Sequence, residues 1–153
     1  MKHINIYIIE KLRISNKKTE HTLFPKTKDE LVQMIKTEIR TNGVNCNLNH
    51  IDTSKIEDMS FLFLDSDFNG DISQWDVSCC RNMMGMFKYS KFTGENGDIS
   101  EWDVSNVRNM RGMFGLCPFN QDISRWQLNP ACNIEKMFLN NTAMEDRNKP
   151  ILP

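Results

Sequence analysis

"DISEWDVSNVRNMRGMF" (Asp98–Phe114) restates an earlier stretch, "DISQWDVSCCRNMMGMF" (Asp71–Phe87), with four changes: Gln74 to Glu101, Cys79 to Asn106, Cys80 to Val107 and Met84 to Arg111. A further copy, the last, opens with "DISRW" at Asp122–Trp126. The tryptophans Trp75, Trp102 and Trp126 set spacings of 27 and 24 residues, and the extra three fall in "TGENG" (Thr93–Gly97), a loop insertion. In the same register an earlier copy stands at "LNHIDTSKIEDMSFLF" (Leu48–Phe63), with Ile51 in the tryptophan's place. A fixed period of this size marks a chain built from stacked units.

Each copy follows one apolar frame. In the third copy it is Ile99, Trp102, Val104, Val107, Met110, Met113, Phe114 and Phe119. Trp102 and Val104 are two apart, which predicts a short strand with both side chains inward. Val107, Met110, Met113 and Phe114 follow an i, i+3, i+6, i+7 spacing, which predicts one face of a short helix. Ser105 and Asn106 lie between them and suit a helix N-cap. Neither element can bury its apolar side alone, so the copies must stack. The expected fold class is therefore α/β: a short solenoid of about four strand–helix repeats. The tryptophans belong to its core, since their apolar neighbours two and three residues away point them inward. A base- or sugar-stacking platform would need them outside.

Upstream, "KTKDELVQMIKTEIRTNG" (Lys26–Gly43) predicts a helix. Thr27 and Glu30 form a capping box, Leu31, Met34, Ile35 and Ile39 share a face, and Gly43 stops it. It reads as the N-terminal cap of the stack. Residues 1–24 are open between a strand, from Ile4, Ile6 and Ile8, and a helical turn, from Ile8, Ile9 and Leu12. The last copy departs from the pattern at Gln127 and Pro130, and "DRNKPILP" trails from it. The expected organisation is an N-terminal segment and capping helix over 1–45, a four-repeat stack over 46–143, and a tail over 144–153.

The chain has 153 residues with 19 Lys+Arg against 20 Asp+Glu, and that balance gives no basic footprint for nucleic acid or an anionic membrane. "MKHINIYII" meets Glu10 and Lys11 at once, without a signal-peptide core or a lipid-attachment cysteine, so a cytoplasmic location is expected. Five cysteines without a C-x-x-C pair agree, predicting small buried hydrophobes in a reducing compartment rather than disulfides or a zinc site.

The phrases "FNGDISQWDVS" and "DISEWDVSNVRNM" resemble the BspA-like repeats of the family first described in mycoplasma lipoproteins and bacterial surface proteins. The frame I-x-x-W-x-V reads as a leucine-rich-repeat variant, and the resemblance spans about Cys46–Ala143. It implies a leucine-rich-repeat-like solenoid and, in surface members, adhesion or binding of host proteins. Without the signal, lipid cysteine and wall anchor of those members, adhesion is put in doubt here and a binding scaffold remains. "IIEKLRISN" followed by "FPKTKDELVQMI" also resembles the leaders of small proteins from phages of gut bacteria, which implies an intracellular inhibitor or adaptor acting on a host protein.

One stretch matches a calcium loop: "DSDFNGDISQWD" places Asp65, Asp67, Asn69 and Asp76 at ligand positions. It is also the repeat boundary, and a strand at Trp75 replaces the helix such a loop needs, so it reads as a turn and no cofactor is expected. His3, His21 and His50 are scattered, with no framed nucleophile near them. Cys79 sits at a cap position, and Gly85 and Gly112 read as helix positions used for close packing. The outward residues of the stacked strands form two ladders: His50, Gln74, Glu101 and Arg125, then Asp52, Asp76, Asp103 and Gln127. The aspartates either bind a partner or satisfy neighbouring backbone and serines; both stay open. The expected function is a non-enzymatic protein-interaction scaffold whose partner offers a basic or donor-rich surface. Set against it are a hydrolase or cation-dependent enzyme with converging carboxylates, and a structural virion component or surface adhesin.

Overall fold

The computed structural model describes residues 19–152. The first eighteen residues, with the strand-or-helix question for Ile4–Leu12 and the position of His3, lie outside that range. Helix α1, Lys28–Asn42, forms where the capping signals put it: the Thr27 hydroxyl accepts from the Glu30 amide, and the Gly43 amide, at φ 86°, closes on the Ile39 carbonyl. Leu31 and Ile35 are its buried residues and join the core of the repeats.

Beyond α1 the expectation of strand–helix repeats fails. Among the described residues there is no strand and no further α-helix, only one 3-10 turn at Asp146–Asn148 and isolated parallel bridges such as Asn82↔Asn109 and Asn109↔Asn133. The α/β, leucine-rich-repeat-like class is therefore overturned. In its place the chain winds through coils made of consecutive tight turns. The apolar frame supplies the turn ends. The Trp102 amide donates to Ile99, Val107 to Val104, and Met113 to Met110, at 3.0–3.1 Å. Turn ends lie three residues apart, as do neighbours on a helical face, so the spacing that predicts a helix is here the spacing of β-turns whose two ends both enter the core.

Alternate amides of the same run do something a helix forbids: they leave their own coil. Met83, Gly85, Phe87 and Tyr89 donate to the carbonyls of Asn109, Arg111, Met113 and Gly115 at 2.8–3.0 Å. Met110, Gly112, Phe114 and Leu116 repeat this onto Asn133, Glu135, Met137 and Leu139 at 2.8–3.0 Å. To present amides this way the backbone turns left-handed at fixed places, namely Phe61, Gly85, Gly112 and Lys136, then Asp65, Tyr89, Leu116 and Asn140. Gly85 and Gly112 are thus turn residues, not helix residues. At the non-glycine sites the conformation costs about 1 kcal/mol each.

The other corners of each coil are closed by short polar side chains. Asp71, Asp98 and Asp122 each accept, through Oδ1, the amide two residues on, at 2.8–3.0 Å. Asn82, Asn109 and Asn133 do the same at 2.9–3.1 Å. These are Asx turns. Because a corner arrives every few residues, the Trp-x-Val segments never run straight long enough to pair as strands.

Between the coils run two columns of stacked rings. Phe63, Phe87, Phe114 and Phe138 follow at centroid distances of 5.4, 5.6 and 5.7 Å. Phe68, Phe92 and Phe119 stand beside them, with the two columns 4.1–4.5 Å apart within a coil. The tryptophans are buried and join coil to coil: Nε1–H of Trp75, Trp102 and Trp126 donates to the carbonyls of Leu48, Ile72 and Ile99, at 2.9, 3.3 and 3.1 Å. The inserted Thr93–Gly97 corner is held from both sides. Asn69 Oδ1 accepts from the Thr93 amide and hydroxyl, and the Gln121 amide nitrogen reaches the Gly94 carbonyl. In the last coil Pro130 breaks the pattern, and Cys132 rather than Ala131 is buried. Residues 145–148 lie against that coil, with the Ile123 amide donating to Asn148.

Trp102→Ala should lower unfolding stability by roughly 3–5 kcal/mol, as deletion of a large buried aromatic leaves a cavity. Trp102→Phe keeps most of the ring but removes one of the two hydrogen bonds that the Ile72 carbonyl accepts, the Trp75 amide keeping the other, and should cost about 0.5–1.5 kcal/mol. Denaturant melts of the two variants measure the ring and the indole N–H separately.

Candidate functional site

The residues expected to form a binding ladder occupy equivalent corners of successive coils, and their side chains are engaged unevenly. In the first ladder, His50 Nε2 lies 3.6 Å from Glu38 of α1, Gln74 accepts from the Thr19 amide at 2.8 Å, and Arg125 pairs with Glu101 at 3.0 Å. In the second, Asp76 Oδ1 accepts from both the amide and the hydroxyl of Ser78, at 3.0 and 2.6 Å. Asp103 does the same with Ser105, at 3.1 and 2.6 Å. Asp52 accepts from the Ser54 amide at 3.0 Å. The Ser105 hydroxyl and amide hold the Asp103 carboxyl below the usual carboxylate range, and Ser54 does so for Asp52. Gln127 is too long for this turn; it donates to the Arg125 carbonyl, and Asn129 closes a corner two residues later onto the Ala131 amide. One Oδ1 of each aspartate is therefore part of the coil's own scaffold.

The calcium-loop residues do not converge. Asn69 is turned onto Thr93, Asp76 onto Ser78, and Asp65 is an exposed left-handed residue. Among the described residues no cluster of three or more His, Cys, Asp or Glu side chains has the geometry to hold a metal ion. His21 and His50 each face a single carboxylate, Asp52 at 4.0 Å and Glu38 at 3.6 Å. Cys46, Cys80, Cys117 and Cys132 are buried free thiols, and burial pushes Cys80 and Cys117 up to about 11; Cys79 is exposed. No helix of the described residues is long and apolar enough to cross a membrane.

A different face carries exposed apolar surface. Phe61, Leu64, Tyr89, Leu116 and Leu139 are 38–51% exposed and all lie on the left-handed turn run, spread over four coils. Between them lies a groove of about 300 Å³. Its floor is Gly85, Gly112 and Gly115; Phe61, Met84 and Leu139 wall it, and Lys88, Arg111 and Lys136 rim it. The Phe61 ring fills the space above Gly85, where a Cβ would meet it at 2.6 Å, whereas above Gly112 nothing lies nearer than 3.9 Å. The signal for this groove stands in the aligned copies. One left-handed position reads Phe61, Gly85, Gly112, Lys136, so side chains stand in the two outer coils and none in the two between them.

Residues 30–149 match the family model described as "Mycoplasma protein of unknown function, DUF285". No curated protein and no solved structure matches the chain.

The Asp103 carboxyl should titrate below ordinary aspartates by NMR, and Ser105→Ala should move it upward. A depressed carboxylate contributes stability that is present above its unfolded value of about 3.9 and is lost as pH falls through the folded value. Acid unfolding of Ser105→Ala should therefore show a smaller loss of stability below about pH 4 than the parent chain.

Proposed function

The chain belongs to the family described as Mycoplasma protein of unknown function, DUF285, and on that premise we propose that it is a non-catalytic protein-interaction module. Its contact face is the left-handed turn run. One observation carries this. Phe61, Tyr89 and Leu116 are at once exposed and left-handed, so each bears a backbone cost and leaves apolar surface in water. A stripe of exposed apolar side chains across four coils is what a protein-binding surface presents. Large apolar and aromatic side chains carry most of the affinity at such surfaces, while polar rims tune rate and specificity. The likeness of the repeat phrases to BspA-like repeats, in which surface members bind host proteins, supports the same role.

The two ladders fit the role less well, because the Ser-bound aspartates of one and the Glu101–Arg125 pair of the other already have partners within the chain.

A photo-crosslinking side chain placed at Tyr89 should capture a protein in the native cell, and one placed at Gln74 should not. Leu116→Ser, with melting temperature retained, should reduce capture from Tyr89 by about tenfold. Capture from Gln74 alone would move the contact to the aspartate side and overturn this assignment.

A further inference from the structure

The groove has a chemical bias that narrows its occupant, provided that the turn run is the contact face. Three cations, Lys88, Arg111 and Lys136, stand around an apolar trough. One carboxylate answers them: Glu135 lies 3.4 Å from both Arg111 and Lys136. Lys88 has no carboxylate within ion-pair distance among the described residues, and its ammonium sits 5.1 Å from the Tyr89 ring centroid. Its aliphatic stem lies across the glycine floor, with Cδ 3.9 Å from where a Gly112 Cβ would stand and Cγ 3.7 Å from that of Gly115. A flexible methylene chain is thus the present occupant of the trough, and long lysine stems do cover apolar surface in this way.

We infer that this groove takes an acidic peptide segment carrying one bulky apolar side chain, which displaces the Lys88 stem from the glycine floor. The apolar side chain enters over Gly112 and Gly115, between Phe61 and Leu139. Flanking carboxylates meet Lys88 and Arg111, so the bound segment supplies the counter-charge that the rim lacks. The chain's overall charge of −1 argues against a nucleic-acid backbone as the occupant, since such binding draws on a broad basic surface. The lack of a side chain at Gly112 itself also matters. The equivalent positions already hold a phenylalanine at φ 57° and a lysine at φ 57°, so the left-handed backbone there accepts a side chain when one is present.

That equivalence supplies the test. Gly112→Phe copies Phe61, which stands two coils away, and fills the trough without asking the backbone for a new conformation. Binding is read by fluorescence anisotropy with a short labelled peptide bearing a central Phe-Leu pair flanked by glutamates. The wild-type chain should bind it, more weakly as salt rises, and should reject both the lysine-flanked peptide and the one with Ala-Ala at its centre. Gly112→Phe and Lys88→Glu, each with unchanged circular dichroism and melting temperature, should weaken binding by about tenfold or more. Equal binding to Gly112→Phe, or equal binding of the Ala-Ala peptide, overturns the proposal. So does a chain that sediments as a dimer and dissociates on Gly112→Phe, which would make a second copy the occupant. If the peptide fails while Tyr89 still cross-links a protein, the occupant assigned here is wrong and the contact face stands. If both fail, the contact face falls with it.

Discussion

Everything in this chain depends on one division of labour among backbone amides. Within the turn run, one amide closes a turn onto its own coil and the next crosses to the coil after it, as Met113 donates to Met110 while Gly112 and Phe114 donate to Glu135 and Met137. A buried backbone polar group must be paired, and here no sheet or helix is needed to pair it. The crossing amides fix the coils in register, and register stacks Phe63, Phe87, Phe114 and Phe138 as near-parallel rings, 2–6° apart in plane. The tryptophan N–H groups add a second crossing on the far side of the core. Left-handed residues are the geometric cost of turning alternate amides outward, and the same residues raise Phe61, Tyr89 and Leu116 onto the surface. Scaffold and candidate contact face thus come from one constraint.

Much of this is legible in the sequence, because burial depends on spacing and spacing is written plainly. The frame from Ile99 to Phe119 names residues that are all buried, and the Thr27–Glu30 box marks the start of α1 where Glu30 indeed closes on Thr27. What the spacing does not carry is the path of the backbone between frame residues. Ile99 and Trp102, Val104 and Val107, Met110 and Met113 are three apart whether they share a helical face or end successive turns. The deciding clue lies in the outward residues. Asp, Asn and Ser recur at fixed corners, where their side chains cap turns, and such residues weaken helix interiors. The glycines at 85 and 112 would also weaken a helix, yet Phe61 and Lys136 at the equivalent places hide their meaning when a single copy is read alone.

The candidate site was harder to see for a related reason. Charged ladders are conspicuous in aligned repeats, and Asp52, Asp76 and Asp103 fall in one. Their regular recurrence, however, is what a structural role produces, since each coil needs its corner closed. The groove residues break the repeat: Met84 against Arg111, Gly85 against Phe61, Leu139 against Lys88 and Gly115. In a chain of near-copies the scaffold is the part that recurs, and distinct surface chemistry arises where the copies differ.

The Thr93–Gly97 corner shows how much freedom that scaffold leaves. Three additional residues enter between the second and third coils, yet the rings on either side, Phe92 and Phe119, stay 5.9 Å apart and 7° from parallel. The added length is taken up outside the columns and fastened by Asn69 above and Gln121 below. Chain length and core register are therefore uncoupled at this corner. A lineage could grow, shrink or replace the loop here as a self-contained graft, altering the silhouette of the molecule while the stack beneath keeps count.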